Sequence, residues 1–285
     1  MQAEAAPELA VVILSYGPRP SLGEAVRSLL RQDMQAELVV VHSGGGDVRG
    51  ALAGAGDAVR IVTSPERLFP GGARNLGVAS TRAPYVAFLA DDCIASDGWV
   101  RARLDAHRAG ASCVASALAC HKPRDPVALA AHLSLYFRRM PRTAADVALR
   151  YGASYRRDLF ARYGEFNERL ESGEDTEFHQ RLAAEDTPVW RPEVVTIHRG
   201  AETLADFVRS QARRGRRMAE AWRALGVHDA QSVARDAISR TLLILREAWQ
   251  VVEPRHRGAA CLGAPLIVCG SVAYACGALR AERRS

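Results

Sequence analysis

Leu9-Ala-Val-Val-Ile-Leu14 is an unbroken apolar run, the pattern of a strand covered on both faces. From Ser21 to Gln32 the period changes. Leu22, Ala25, Val26, Leu29 and Leu30 recur at helical spacing, with Ser21 as the expected N-cap and Glu24 completing a capping box. Leu38–Val41 and Val59–Val62 predict two more strands, Gly72–Ser80 a helix and Tyr85–Leu89 a fourth strand. Strand alternating with helix predicts an α/β fold, a mostly parallel central sheet flanked by helices. Farther on, Cys113–Leu118 reads as a strand, Val127–Arg139 as a helix carrying Leu129, Leu133 and Phe137, and Leu204–Leu225 as a basic helix. Residues 258–279 then hold no charged side chain over 22 positions.

In such sheets ligands bind beyond the carboxyl ends of the strands. The residues there are Ser15-Tyr16-Gly17, His42-Ser43 with Gly44-Gly45-Gly46-Asp47, and Ala90-Asp91-Asp92. Two carboxylates ending an apolar strand are costly unless solvated, paired or bound to a cation. Magnesium and manganese take one or two carboxylates together with substrate phosphates, so Asp91-Asp92 reads as half of such a site. Alone, the pair reads first as a cap of the next helix, expected near Asp97 or Trp99. A second acidic cluster, Glu174-Asp175, lies at the predicted start of a helix through Phe178 and Leu182. Carboxylates there suit the helix dipole, and one could also serve as a general base. Gly44–Gly46 permits close backbone approach to a ligand. It is not a dinucleotide-binding fingerprint, because position 49 is Arg49 and the run follows the second strand.

Composition changes this picture little. The chain has 285 residues, 48% apolar and 25% charged, which suits a folded core and argues against disorder. The net charge is +6 and Lys122 is the only lysine, so the positive charge is almost all arginine. Compositional bias of the genome is the plainer source of that preference. Its consequence is attraction for phosphates or acidic lipid headgroups. No basic stripe with interleaved aromatics points to nucleic acid. The six cysteines lack paired C-x-x-C spacing, which argues against structural zinc and disulfides and suits a reducing cytosol. Met1–Glu8 is polar and acidic, unlike a signal peptide.

In combination the segments resemble the inverting family 2 glycosyltransferases of the GT-A fold. The matching stretches are Val11–Tyr16, Gly72–Gly77, Tyr85–Asp92, Tyr151–Arg157, Gly164–Asn167 and Gly173–Leu182, in the family's order over roughly residues 8–200. The resemblance implies a hexosyltransferase-like enzyme that moves a sugar from a nucleotide-sugar to a glycan or lipid-linked acceptor, with magnesium or manganese as cofactor. It implies that Asp92 and His198 bind the metal, and that Asp175 is the general base with Glu174 beside it. It further implies that Ser15, Tyr16, Ser43, Arg74, Asn75 and Asp91 surround the donor. For Arg74, an internal ion pair with a cleft aspartate is as well supported as a phosphate contact.

Two positions depart from the family pattern. Ala90 stands where its acidic element often begins, and His42-Ser43 replaces the aspartate that usually reads the base. These departures motivate an alternative, a catalytically weak relative that binds nucleotide or glycan as a partner subunit. A GT-A domain is expected over residues 1–203 and a helical region over 204–285. Residues 258–279 are long enough to span a bilayer but diluted by glycine, alanine and Pro265, so spanning, lying on the surface and packing as a hairpin all remain open. Arg209, Arg213, Arg214, Arg216 and Arg217 would meet acidic lipid or an anionic acceptor, or form a solvated face. The expected location is cytoplasmic, at the inner face of the plasma membrane.

Overall fold

The computed structural model describes residues 6–17, 20–55, 58–224 and 230–282. Eight strands form one sheet: β1 (Leu9–Tyr16), β2 (Glu37–Ser43), β3 (Val59–Ser64), β4 (Tyr85–Ala90), β5 (Cys93–Ala95), β6 (Cys113–Cys120), β7 (Ser154–Arg156) and β8 (Val189–His198). Their order is β3-β2-β1-β4-β7-β6-β8-β5. The pairs β1–β2, β1–β4 and β2–β3 are parallel, and β7 runs antiparallel to β4 and β6. The helices are α1 (Leu22–Leu30), α2 (Val48–Ala51), α3 (Pro70–Ala79), α4 (Trp99–Arg108), α5 (Pro126–Tyr136), α6 (Asp158–Tyr163), α7 (Glu174–Arg181), α8 (Leu204–Ala224), α9 (Ala230–Val251) and α10 (Arg257–Glu282). Contacts divide the chain into two units, residues 1–117 with 149–197, and residues 118–148 with 198–285.

In the first unit, the apolar run of β1 divides between two cores. Leu9, Val11 and Ile13 join Leu22, Val26 and Leu29 of α1 on one face. Val12 joins Ala73 of α3 and Phe178 of α7 on the other. Alternate side chains of a strand point to opposite faces, so a strand covered on both sides must be apolar throughout. Gly77 lets α3 lie close to the sheet, because a Cβ there would sit 2.2 Å from Val12 Cγ1. The Ser21 side-chain bond of the expected capping box on α1 does not form. Ser21 already has helical backbone (φ −71°, ψ −21°) and makes no side-chain cap bond. The first turn is held by the Glu24 and Ala25 amides donating to the Ser21 carbonyl at 3.0 and 3.1 Å.

A buried polar knot closes the far side of this unit. Arg103 Nη1 donates to Val114 O (2.9 Å) and Ser154 Oγ (3.0 Å), with its guanidinium 4.1 Å from the Trp99 ring. His107 meets Ala111 O through Nδ1 and Ser154 Oγ through Nε2, both at 2.8 Å, and stacks on Tyr85. The carbonyl requires the proton on Nδ1, so Nε2 accepts from the serine hydroxyl. Burial above all, with the nearby Arg103 charge, pushes His107 down to about 4.

The second unit is helical. Leu129 and Leu133 of α5 pack with Phe207 of α8, Ile244 of α9 and Ile267 of α10. Gly263, Gly270 and Gly277 make a seam along α10, seven residues apart. A Cβ at Gly277 would lie 2.0 Å from Ala212 O, one at Gly270 2.3 Å from the Phe207 ring, and one at Gly263 3.0 Å from Pro126 O. From the α8 side, a Cβ at Gly215 would lie 1.9 Å from Tyr274 O. Small residues let the backbones approach this closely.

Candidate active site at the carboxyl edge of the sheet

Strand register builds the first part of the site. Tyr16 pairs with Ser43, and Leu14 pairs with Ala90. The residues after β1, β2 and β4 therefore meet at one edge of the first unit. The two aspartates form the turn between β4 and β5, and α4 is capped by Gly98, so neither caps that helix. Asp91 is buried, and its Oδ2 accepts from the Tyr16 amide at 3.4 Å. Asp92 is half-buried and accepts from the Cys93 thiol at 3.5 Å.

His42 is buried and engaged within the protein. Its Nε2 faces Gly45 O at 3.0 Å and its Nδ1 faces Ser15 Oγ at 3.1 Å. The Gly45 carbonyl needs a hydrogen on Nε2, which leaves Nδ1 to accept from the Ser15 hydroxyl. Ser43 is also buried, and its Oγ accepts from the Leu68 amide at 3.3 Å. Tyr16 is 45% exposed. Its ring lies against Gly44, where φ is +81° and a Cβ would sit 2.4 Å from Tyr16 Cε2. The Arg67 guanidinium lies 5.1 Å from the same ring and pairs with Glu171 at 3.3 Å.

The second part of the site is the start of α7, reached from α3. Arg74 Nη2 pairs with Glu174 Oε1 at 2.9 Å, and both side chains are buried. The guanidinium lies 4.9 Å from the Phe88 ring and 5.2 Å from the Phe166 ring. Among the described residues Nε and Nη1 have no hydrogen-bond partner, and the aromatic faces beside the guanidinium offset this. Burial alone would lower Arg74. Attraction to Glu174 and then Asp175 outweighs it and holds the guanidinium above its ordinary value. Asn75 donates to Phe166 O (3.0 Å) and Glu168 Oε1 (2.9 Å) and accepts from the Phe166 amide (3.0 Å). It thereby ties α3 to the loop before α7.

Gly173 caps α7 with φ +87°, and Glu174, Asp175 and Glu177 occupy the first turn, where the helix dipole favours anions. Asp175 is half-buried and its Oδ1 accepts from the Thr176 amide at 2.8 Å. Burial raises Tyr155 well above its ordinary value, so its hydroxyl stays protonated, and it hydrogen-bonds with His179 Nε2 at 2.7 Å. Sequence reading did not find this pair, since a tyrosine and a histidine in separate elements carry no local signal.

His198 ends β8 and belongs to the second unit. There its ring meets Tyr136 edge-on at 4.9 Å and its carbonyl accepts from the His121 amide at 3.2 Å. Its neighbour His132 donates through Nε2 to Leu118 O, and burial above all, with the His198 charge, pushes it down to about 3.

Among the described residues, no three His, Cys, Asp or Glu side chains gather into a cation cage. A hard divalent ion does not require one, because it keeps water and takes substrate phosphates beside one or two carboxylates. A half-buried Asp92 at the sheet edge fits that donor set.

A family model described as Glycosyl transferase family 2 matches residues 10–164. Over 109 residues the chain is 32% identical to the succinoglycan biosynthesis protein ExoO of Rhizobium meliloti (strain 1021), covering 37% of this chain and 31% of that protein. The chain thus spans less than a third of that relative's length. Among solved structures, it is similar to the mannosyltransferase PcManGT from Pyrobaculum calidifontis, in complex with GDP-Man and Mn2+. The TM-score is 0.55 at 16% identity, over 94% of this chain and 87% of that one. It is also similar to residues 1–349 of S. aureus TarS in complex with UDP-GlcNAc, with a TM-score of 0.51 at 14% identity, over 98% and 92%. At such identities the likeness concerns the fold, which is GT-A-like.

Proposed function

The chain belongs to glycosyl transferase family 2, the nucleotide-sugar-dependent transferases, and from that membership we propose an inverting transfer to a glycan or lipid-linked acceptor. The observation that carries the reading is the register of β1, β2 and β4, with Ser15-Tyr16, Ser43 and Asp91-Asp92 at one sheet edge. In this reading Tyr16 faces the nucleotide, with Ser15, Ser43 and Asp91 around it and Arg74 and Asn75 as the buttress behind.

Asp175 accepts the acceptor hydroxyl's proton as that oxygen bonds to the anomeric carbon. The bond from that carbon to the phosphate oxygen breaks, and the nucleoside diphosphate leaves. Glu174, held by Arg74, keeps the first turn of α7 in place for this step. Asp92 would hold magnesium or manganese, which when bound neutralises charge on the leaving diphosphate. Solved relatives hold GDP-Man with Mn2+ and UDP-GlcNAc, which supports both donor class and metal. The succinoglycan relative supports a polysaccharide acceptor. The free cysteines support catalysis in the cytoplasm, at the inner face of the plasma membrane.

One observation favours a second reading. His42 stands where the base-reading aspartate is expected and is committed to Ser15 and Gly45, which suits a relative that binds donor weakly without turnover. Purified protein with GDP- and UDP-sugars and manganese distinguishes the two. The transferase reading expects manganese-dependent release of nucleoside diphosphate from at least one donor. Binding without release supports the second reading, and no response to any donor sinks both.

A further inference from the structure

The exposed side of the helical unit is apolar where a soluble surface would be polar. On α10, Cys261, Leu262, Val268, Cys269, Val272 and Leu279 are all exposed, and they recur at helical spacing along one stripe. Leu262 is 69% exposed and Val272 58%. On α9, Ile238, Leu242, Leu245 and Trp249 form a second exposed stripe at i, i+4, i+7 and i+11. Two contacts join the helices that carry the stripes. The Thr241 hydroxyl bonds to Ser271, and the Arg257 guanidinium lies 4.5 Å from the Trp249 ring. Contiguous exposed apolar surface of this kind marks an interaction site.

The border of the surface selects the partner. Arg235, Arg246, Arg255, Arg257 and Arg280 flank it, against Asp236, Glu247 and Glu253. An apolar face rimmed by an excess of arginine, with tryptophan at its edge, suits an anionic bilayer interface. We infer that the α9–α10 face docks onto an anionic phospholipid bilayer, with α10 lying in the membrane plane. The opposite side of α10 decides against spanning. Its glycine seam interlocks with α8, whose Arg209, Arg213, Arg216 and Arg217 are exposed. A spanning α10 would carry those charges into hydrocarbon, where each is costly. Lying flat leaves them in water.

The test is co-flotation of the full chain with vesicles of equimolar phosphatidylglycerol and phosphatidylcholine. The protein should float with them, be released by alkaline carbonate, and bind phosphatidylcholine alone at least about tenfold more weakly. Leu262→Glu with Val272→Glu should reduce flotation by a similar factor while donor-dependent nucleotide release in solution is unchanged. Unaltered flotation of that variant, or retention through carbonate, overturns the inference. So does a parent chain that never floats and a variant that only dissociates a self-associated species, since the face then covers a second copy. Flotation and nucleotide release are separate readouts, so either proposal can fail alone.

Discussion

Arg74 and Glu174 form a buried ion pair at 2.9 Å that fastens α3 to the first turn of α7. Removing one member leaves an uncompensated charge in a poorly solvated place. Arg74→Gln should therefore lower unfolding stability by about 3–5 kcal/mol. Urea denaturation checks this, and a midpoint equal to the parent's would mean the pair is solvated after all. Replacing both, as Arg74→Met with Glu174→Leu, should recover part of the loss.

Asp175 is the neighbouring carboxylate with a different role. Asp175→Asn should reduce transfer by about 10²–10⁴-fold while donor affinity and melting temperature stay close to the parent's. Loss of donor affinity instead would reassign Asp175 to donor binding.

Acid should destabilise the fold before most carboxylates protonate. His107 is held down to about 4 and His132 to about 3, both below the unfolded value of 6.5. Between these limits the unfolded chain binds protons that the folded chain refuses. Stability is thus fully present above pH 6.5 and is lost as pH falls towards 4 and then 3, with about 3 kcal/mol from His107. Urea midpoints measured across that window should show the decline, and His107→Gln should flatten it.

Gly44 and Gly45 separate backbone strain from contact with Tyr16. Both have positive φ, +81° and +73°, but only a Cβ at Gly44 meets the Tyr16 ring. Each alanine variant should cost about 1–2 kcal/mol in stability. Only Gly44→Ala should also weaken donor binding, measured by titration calorimetry. Equal donor affinity in the two variants would remove Tyr16 from the nucleotide site.

Gly277 makes a similar contrast in the helical unit. Gly277→Ala places a Cβ against the Ala212 backbone and should lower the melting temperature by several degrees, whereas Gly258→Ala meets nothing within 4 Å and should not. Scanning calorimetry on the full chain reads the difference.

The sequence by itself determined the parallel strands, the helix of α3, the acidic start of α7 and the carboxyl edge as the place to look. These follow from local period, since side chains alternate along a strand and recur every 3.6 residues along a helix. The ordered motifs also identified the transferase family. The three-residue strand β5 escaped, being too short for a period, and α9 was covered only by the expected helical region over 204–285, since it carries apolar residues on two faces. Ser21 misled because its side chain type suits a cap that its helical backbone prevents.

Tertiary structure decided what depends on chain segments meeting. It made Glu174, rather than an aspartate, the partner of Arg74, and turned His42 inwards to Ser15 and Gly45. It grouped residues 118–148 with the C-terminal helices. It also split one uncharged stretch into a glycine seam and an exposed apolar stripe, because only packing tells which side of a uniformly apolar helix is covered.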